Sequence, residues 1–235
     1  MKILFYIICM FSIVLSDIHN PKCGLYADLE NSRSCPLENY ALTDASYDCI
    51  VDGGFSVNLE IHYFSSNSTY PDSEPTIQYL EAMCMEGETI ENAFNQMGYT
   101  LWSPPTGSSC ALLDTDGSYD VFLTNMLSYY GQTNYYGEAN VGAGNSWIVL
   151  DYSYQGNYYT QGLDPLDAMK VTLAHELFHA IQFNYVSSFN DKYFFEASGQ
   201  WVEDVIYPNV NSYFNGWLDT YINNPEADIS CYNTD

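Results

Sequence analysis

The sequence predicts an α+β fold, because segments with strand character both precede and separate segments with helical character. In Phe55–Tyr63 hydrophobic side chains alternate with polar ones, which is typical of a half-buried strand. Two later segments are rich in β-forming residues, and the chain after residue 164 carries apolar residues at helical spacing. The length of 235 residues suits one large domain, or one domain with a small appendage.

Residues 1–16 are predicted to be a secretory signal peptide and not part of the fold. Lys2 supplies a positive charge, and an apolar run follows from Ile3 to Leu15. Ser16 is small enough for cleavage before Asp17. Because the apolar run is too short to span a bilayer comfortably, we expect the mature protein outside the cell or in the lumen of the secretory pathway.

Residues 17–54 contain three cysteines and little periodicity, which predicts a cysteine-rich N-terminal region or a pro-segment. An even number of cysteines in a secreted chain indicates disulfides, and six remain after signal cleavage. The sequence leaves their pairing open. The six candidates are Cys23, Cys35, Cys49, Cys84, Cys110 and Cys231. Asn67 begins the only N-glycosylation sequon, in a polar stretch where a glycan would be tolerated.

The middle of the chain predicts one helix and two strands. Thr76–Met97 carries apolar residues three or four positions apart, and Gly98 is expected to end this helix. Tyr119–Thr124 and Ser146–Ser153 are predicted strands. The segment Gly131–Gly144 between them is rich in glycine, asparagine and tyrosine, and is predicted to be a loop.

Two helices are predicted after residue 163. Asp164 can cap the first helix, and Pro165 suits its first position. Helical spacing of apolar residues then continues to Tyr185. The second helix covers Tyr193–Ile206 and is ended by Pro208.

The pattern H-E-x-x-H occupies residues 175–179 in the first of these two helices. Residues four apart lie on one helical face, so His175 and His179 can bind one Zn²⁺ together. Glu176 lies beside them, where it can take a proton from zinc-bound water. The pattern therefore predicts a catalytic metal site with Glu176 as the general base.

A third metal ligand is expected downstream, because catalytic zinc sites usually have three protein ligands. The longer pattern that ends in a third histidine is absent, since Gln182 and Tyr185 occupy the positions it requires. No later histidine exists, so the ligand must be a carboxylate, and the second helix offers Glu196 and Glu203. Glu196 is favoured because it is nearer and lies early in that helix. Glu203 and Asp204 are then expected to orient a ligand histidine or to form a solvated face.

These residues resemble the pattern of the gluzincins, in which H-E-x-x-H is followed by a glutamate. In detail they resemble a family of secreted metallopeptidases of the zincin fold found in bacteria and archaea. The resemblance extends from about residue 55 to about residue 225 and depends mostly on the motif itself. The motif covers His175–Gln182 and Glu196–Asp204. The other matching segments, in order, are Phe55–Tyr63, Met97–Tyr99, Tyr119–Leu123, Tyr130–Gly131 and Ser146–Asp151.

The resemblance implies a zincin-like fold, with a small mixed β-sheet, an active-site helix and a following helix that carries a glutamate ligand. It implies His175, His179 and Glu196 as zinc ligands, Glu176 as the general base, and peptide hydrolysis as the activity. Residues 55–235 would then be the catalytic domain. Members of that family continue with further helices, so the resemblance implies either a C-terminally truncated domain or a minimal form of it.

The acidic composition narrows the class of partner. Five Lys and Arg face 30 Asp and Glu, which gives a net charge of −25. This charge argues against a nucleic-acid binder and against attachment to anionic membranes. It favours cationic partners such as metal ions and basic peptides, and we expect a peptide or protein substrate. The alternative is a non-enzymatic secreted protein, either zincin-like or an acidic binding protein rich in tyrosine.

Two weaker signals concern other polar residues. Asp114–Asp120 has oxygen-bearing side chains at alternating positions and a glycine, as calcium-binding loops do. It lacks the glutamate of an EF-hand, so an acidic turn before a strand is the simpler interpretation and Ca²⁺ the alternative. His62 alternates with the apolar residues of its strand and is expected to face solvent.

Overall fold

The computed structural model describes residues 43–51, 55–66, 68, 73–101, 118–126, 130–136, 145–155, 163–185 and 192–210. These residues form a five-stranded mixed sheet and three helices, which confirms the predicted α+β class. Several predictions lie outside the described residues. They concern the signal peptide (1–16), the sequon at Asn67, the calcium-loop residues 114–117, and Cys23, Cys35, Cys110 and Cys231.

The sheet has a parallel centre and an antiparallel strand at each end of the described order. Its strands are β1 (Ala45–Val51), β2 (Phe55–Tyr63), β3 (Tyr119–Thr124), β4 (Gly131–Tyr136) and β5 (Asn145–Asp151). The spatial order is β1-β2-β3-β5-β4. β2, β3 and β5 run parallel to one another, whereas β1 and β4 are antiparallel to β2 and β5.

The prediction of a loop at residues 131–144 was wrong for its first six residues, which form β4. The strand pairs with β5 along its whole length. Glycine and asparagine in this segment suggested a turn. However, β-propensity depends strongly on context, and pairing with an apolar neighbouring strand outweighs the local preference of these residues.

β1 lies within residues 17–54, where the sequence predicted a separate N-terminal region. It pairs antiparallel with β2, and Ala45 lies opposite Tyr63 at one end of the pair. A register shift between Asp48 and Ile50 interrupts the regular alternation, so the strand is hard to see as a sequence pattern. The sheet therefore extends across the predicted boundary at residue 54.

The helices begin and end close to the residues that the sequence predicts. They are α1 (Ile77–Met97), α2 (Pro165–Tyr185) and α3 (Lys192–Ile206). Thr76 caps α1 by accepting a hydrogen bond from the Tyr79 amide, and Gly98 ends it at φ 83°. Asp164 caps α2 by accepting a hydrogen bond from the Leu166 amide at 2.9 Å. None of these helices in the described part of the chain is long and apolar enough to cross a membrane.

α2 is surrounded by the other elements. It contacts β4 and β5 of the sheet as well as α1 and α3. Every residue from Val171 to Ile181 is buried, so this stretch has no solvent-exposed side. Polar side chains in such a helix must find partners inside the protein, because burying them without partners is costly. In this stretch they are Thr172, His175, Glu176 and His179.

A disulfide between Cys49 and Cys84 joins β1 to α1. Both sulfur-bearing side chains are buried in the core. Two of the six candidate cysteines are therefore paired, and the bond fixes the edge of the sheet to the helix that follows β2.

Removing this disulfide is expected to destabilise the protein substantially. The bond joins residues 35 positions apart, and the chain-entropy model gives about 4 kcal/mol for a loop of that size. The double variant Cys49→Ala/Cys84→Ala should therefore lose roughly 2–4 kcal/mol of unfolding free energy, measured by urea denaturation. Met85→Ala, at an exposed neighbouring position, should change it by less than about 0.5 kcal/mol. A loss below about 1 kcal/mol in the double variant would contradict this expectation.

Candidate metal centre

The helices α2 and α3 bring His175, His179 and Glu196 together. The two imidazoles lie on the same face of α2, with ring centroids 4.6 Å apart. Glu196 lies early in α3, with one carboxylate oxygen 3.3 Å from Nε2 of His175 and the other 3.6 Å from Nε2 of His179. One potential ligand atom from each residue lies within 4.8 Å of the others, and all three residues are buried.

The outer nitrogen of each imidazole is held by a side-chain oxygen. Nδ1 of His175 lies 2.7 Å from Oε1 of Glu203, and Nδ1 of His179 lies 2.6 Å from Oε1 of Gln182. Each of these oxygens accepts a hydrogen from Nδ1, which leaves the lone pair on Nε2 available to a metal. Both Nε2 atoms face Glu196, so the arrangement can hold one ion between the three residues.

The structure separates the two carboxylates that the sequence left open as the third ligand. Glu196 lies at the inner nitrogens, whereas Glu203 lies behind His175 at its outer nitrogen. Glu203 and Asp204 were expected either to orient a histidine or to form a solvated face. Glu203 contacts His175, whereas Asp204 is half exposed. Gln200 adds a hydrogen bond of 2.6 Å from its amide nitrogen to Oε1 of Glu203.

The two histidines have opposite protonation preferences. Burial lowers the pKa of His175, but hydrogen bonds and negative charge from Glu196 and Glu203 outweigh this effect and raise its pKa to about 10. Burial and then the positive charge of His175 lower the pKa of His179 to about 4. At neutral pH His175 of the metal-free site is therefore a positively charged imidazolium. It must lose one proton before its Nε2 can bind a metal ion.

Glu176 is fully buried next to His175 in the chain, and β4 holds its carboxylate. The hydroxyl of Thr133 lies 2.6 Å from Oε2 of Glu176 and 2.9 Å from its backbone oxygen. The single hydroxyl hydrogen can be donated to either acceptor. A residue of the edge strand thereby fixes the position of the acidic side chain in the motif.

Two glycines allow the close approach of these elements. A Cβ at Gly199 of α3 would lie 2.7 Å from Cε1 of His175, and one at Gly131 of β4 would lie 2.8 Å from Cγ of Glu176. Any larger residue would force the imidazole or the carboxylate to move. Glycine at these two positions therefore lets α3 pack against the ring of His175 and lets β4 pack against Glu176.

No family model matches this chain, and neither a curated protein nor a solved structure matches it.

The sequence did not identify several residues of this arrangement. Gln182 appeared only as the residue that replaces the glycine of the longer pattern, and Thr133 was assigned to a loop. The motif around α3 contained Gly199, but sequence spacing gave no reason for a glycine there. The signals that could have identified them were a polar residue one turn after His179 and small residues in otherwise apolar segments.

His62 is a further correction, because the sequence expected it to face solvent. Its side chain is only 14% exposed, and its Nε2 lies 2.8 Å from Oδ1 of Asp120 on the neighbouring strand. Together with Glu60 these residues form a second group of potential metal ligands within 4.8 Å of one another.

Replacing Gly199 with alanine is expected to damage the metal site and leave the fold intact. Alanine favours a helix over glycine by about 1 kcal/mol, so α3 should persist. The added methyl group would displace the ring of His175, and we expect zinc affinity to fall by about 10- to 100-fold. Calorimetric titration with Zn²⁺ measures this, beside circular dichroism to check folding. Val205→Ala, at an exposed position of the same helix, should bind Zn²⁺ as the unmodified chain does. Equal affinity in Gly199→Ala would show that the close contact does not position the histidine.

Zinc binding is expected to release a proton. His175 must lose its proton to become a ligand, and its pKa of about 10 in the metal-free site lies above neutral pH. Binding at pH 7 should therefore release about one proton per ion from His175, and the apparent affinity should rise by about tenfold per pH unit between pH 7 and 9. Titrations in buffers of different ionisation enthalpy count the released protons. An affinity independent of pH over this range would contradict the protonation of His175.

Proposed function

We propose that this chain is a secreted zinc metallopeptidase with a zincin-like catalytic domain. The observation that carries the proposal is the common direction of two buried Nε2 atoms, from His175 and His179, towards the carboxylate of Glu196. The donor set of two imidazoles and one carboxylate is one that catalytic zinc sites use. Three protein ligands leave a fourth position for water or substrate.

The donor chemistry of the site fits a zinc ion. Imidazole nitrogen and carboxylate oxygen are both common zinc ligands, and atoms that share one ion at about 2.1 Å lie roughly 3–4 Å apart. The distances of 3.3 and 3.6 Å from Glu196 to the two histidines agree with that spacing. The oxygens at both Nδ1 atoms hold a hydrogen there, so Nε2 is the nitrogen that each imidazole offers to a metal once the ring is neutral.

A zinc ion at this position would supply Lewis acidity that lowers the pKa of a water molecule towards about 7. Glu176 is the residue that would accept the proton of the attacking water and later pass it to the leaving amine. In this reaction the water oxygen bonds to the peptide carbonyl carbon, and the carbon–nitrogen bond breaks. The hydrogen bond from Thr133 would keep the carboxylate of Glu176 in one orientation during both proton transfers.

The position of β4 supports a peptide as the substrate. Among the described strands, β4 is last in the sheet order and pairs with β5. Its Thr133 contacts Glu176, so an extended peptide alongside this strand would run past the proposed general base. A disulfide between Cys49 and Cys84 is compatible with a secreted protein, since disulfides persist in oxidising compartments.

The proposed activity is tested with Glu176→Gln on the full-length secreted chain. Glutamine keeps the size of the side chain but cannot accept the proton, so we expect kcat for cleavage of an unfolded protein substrate to fall by about 10²- to 10⁴-fold. The zinc content should stay unchanged, because Glu176 is not in the proposed ligand set. Glu81→Gln, an exposed carboxylate of α1, serves as the matched control and should keep full activity.

Two results would count against the peptidase proposal. One is zinc binding without cleavage of any peptide in a diverse library, which would favour the non-enzymatic alternative. The other is cleavage that persists at the same rate in Glu176→Gln.

A supporting variant is Thr133→Val, which removes the hydrogen bond to Glu176 and should lower kcat without changing KM or zinc content.

A further inference from the structure

We infer that Glu60, His62 and Asp120 form a second divalent-cation site, on the face of the sheet opposite α2. Its chemistry differs from that of the first site, because two carboxylates and one imidazole make an oxygen-rich donor set. The inference does not depend on the proposed peptidase activity. It starts from the register of β2 and β3, which brings the three side chains together.

The two carboxylates are neighbours across parallel strands. Glu60 and Asp120 are cross-strand partners in the pairing of β2 with β3, and both are buried. Residues alternate between the two faces of a strand. Since Ile61 and Val121 belong to the core that α2 packs against, Glu60 and Asp120 face the other side.

A stacked aromatic ring fixes the imidazole of this cluster. His62 and Phe122 are also cross-strand partners, and their rings stack with centroids 4.6 Å apart at an interplanar angle of 18°. This contact fixes the plane of the imidazole. Its Nε2 then lies 2.8 Å from Oδ1 of Asp120 and 3.8 Å from Oε2 of Glu60.

The geometry suits a shared ion. Ligands at about 2.1 Å from one ion lie roughly 3–4 Å from each other, and the three donor atoms here lie within 4.8 Å of one another. Small shifts of the carboxylates would bring the donors of the second site around one cation.

Charge also favours a divalent ion at this position. Glu60 and Asp120 place two buried carboxylates next to each other across β2 and β3. Like charges held close together in a buried setting repel strongly, and a bound cation relieves that repulsion.

The donor set indicates which ions to expect. Carboxylate oxygens suit Mg²⁺, Ca²⁺ and Mn²⁺, while an imidazole nitrogen favours a transition metal. A site with both types of donor therefore fits Mn²⁺ and related transition-metal ions better than Ca²⁺. An ion bound to Glu60 and His62 on β2 and to Asp120 on β3 would join two central strands, which assigns it a structural role.

The test is a titration of the full-length secreted chain with Mn²⁺, in which electron paramagnetic resonance measures the concentration of the free ion. We expect the unmodified chain to bind one more Mn²⁺ than either His62→Gln or Glu60→Gln. Glu81→Gln, an exposed glutamate of α1, is the matched control for Glu60→Gln and should bind as many ions as the unmodified chain. His179→Ala should lose binding at the first site and keep the ion at the second site. This variant therefore distinguishes loss of the first site from loss of the second.

The two variants protect the test against a folding failure. If His62→Gln does not fold, as judged by circular dichroism, Glu60→Gln decides the outcome with a side chain of nearly the same size. A rise in the Tm of the unmodified chain with Mn²⁺ that is absent in the folded variant would support the site further. The inference is overturned if the unmodified chain and a folded variant bind the same number of Mn²⁺ ions.

Discussion

The burial of two histidines on a helix without a solvent-exposed side is the constraint on which the rest of the arrangement depends. An imidazole without partners in such a position would cost about 1–3 kcal/mol, so each ring needs polar partners inside the protein. Glu203 and Gln182 satisfy the outer nitrogens of His175 and His179, and Glu196 faces the inner ones. The position of α3 follows, because two of these partners are on that helix.

Close packing around α2 then requires a small residue wherever the backbone of a neighbouring element approaches a histidine or glutamate of the site. Gly199 lets α3 approach the ring of His175, and Gly131 lets β4 approach Glu176. β4 is part of the site for this reason, since its close approach places the hydroxyl of Thr133 within hydrogen-bond distance of the carboxylate. The fold thus holds the ligand residues from the α3 side and the proposed general base from the sheet side.

The sequence predicted the parts that depend on spacing along one element. A period of four residues places His175 and His179 on one face of α2. Local chemistry predicted the end of α1 at Gly98 and the beginning of α2 at Asp164. Glu196 lies at the inner nitrogens of the histidines, and its preference over Glu203 as the third ligand stays a prediction. However, distance along the chain could not show that Glu203 reaches the opposite nitrogen of His175, because that depends on how α3 is rotated against α2.

Contacts between strands could not be predicted in the same way. The sequence predicted a loop at β4 because its glycine and asparagine have low strand propensity. It predicted no strand within residues 17–54, because a register shift interrupts the alternation of β1. His62 was expected to face solvent, since alternation gives the face of a strand but not what lies on the neighbouring strand. Only the register of β2 with β3 brings it to Asp120.

The measurement that tests the central claim most directly is the number of zinc ions bound per chain at equilibrium, for the unmodified secreted protein and for His179→Ala and Glu196→Ala. If His175, His179 and Glu196 hold one ion, each variant binds one zinc fewer than the unmodified chain. Glu203→Ala should keep the ion with an affinity lower by about 10- to 100-fold, because it removes a partner of a ligand and not a ligand. Equal zinc binding by the unmodified chain and the folded His179→Ala and Glu196→Ala variants would contradict the account.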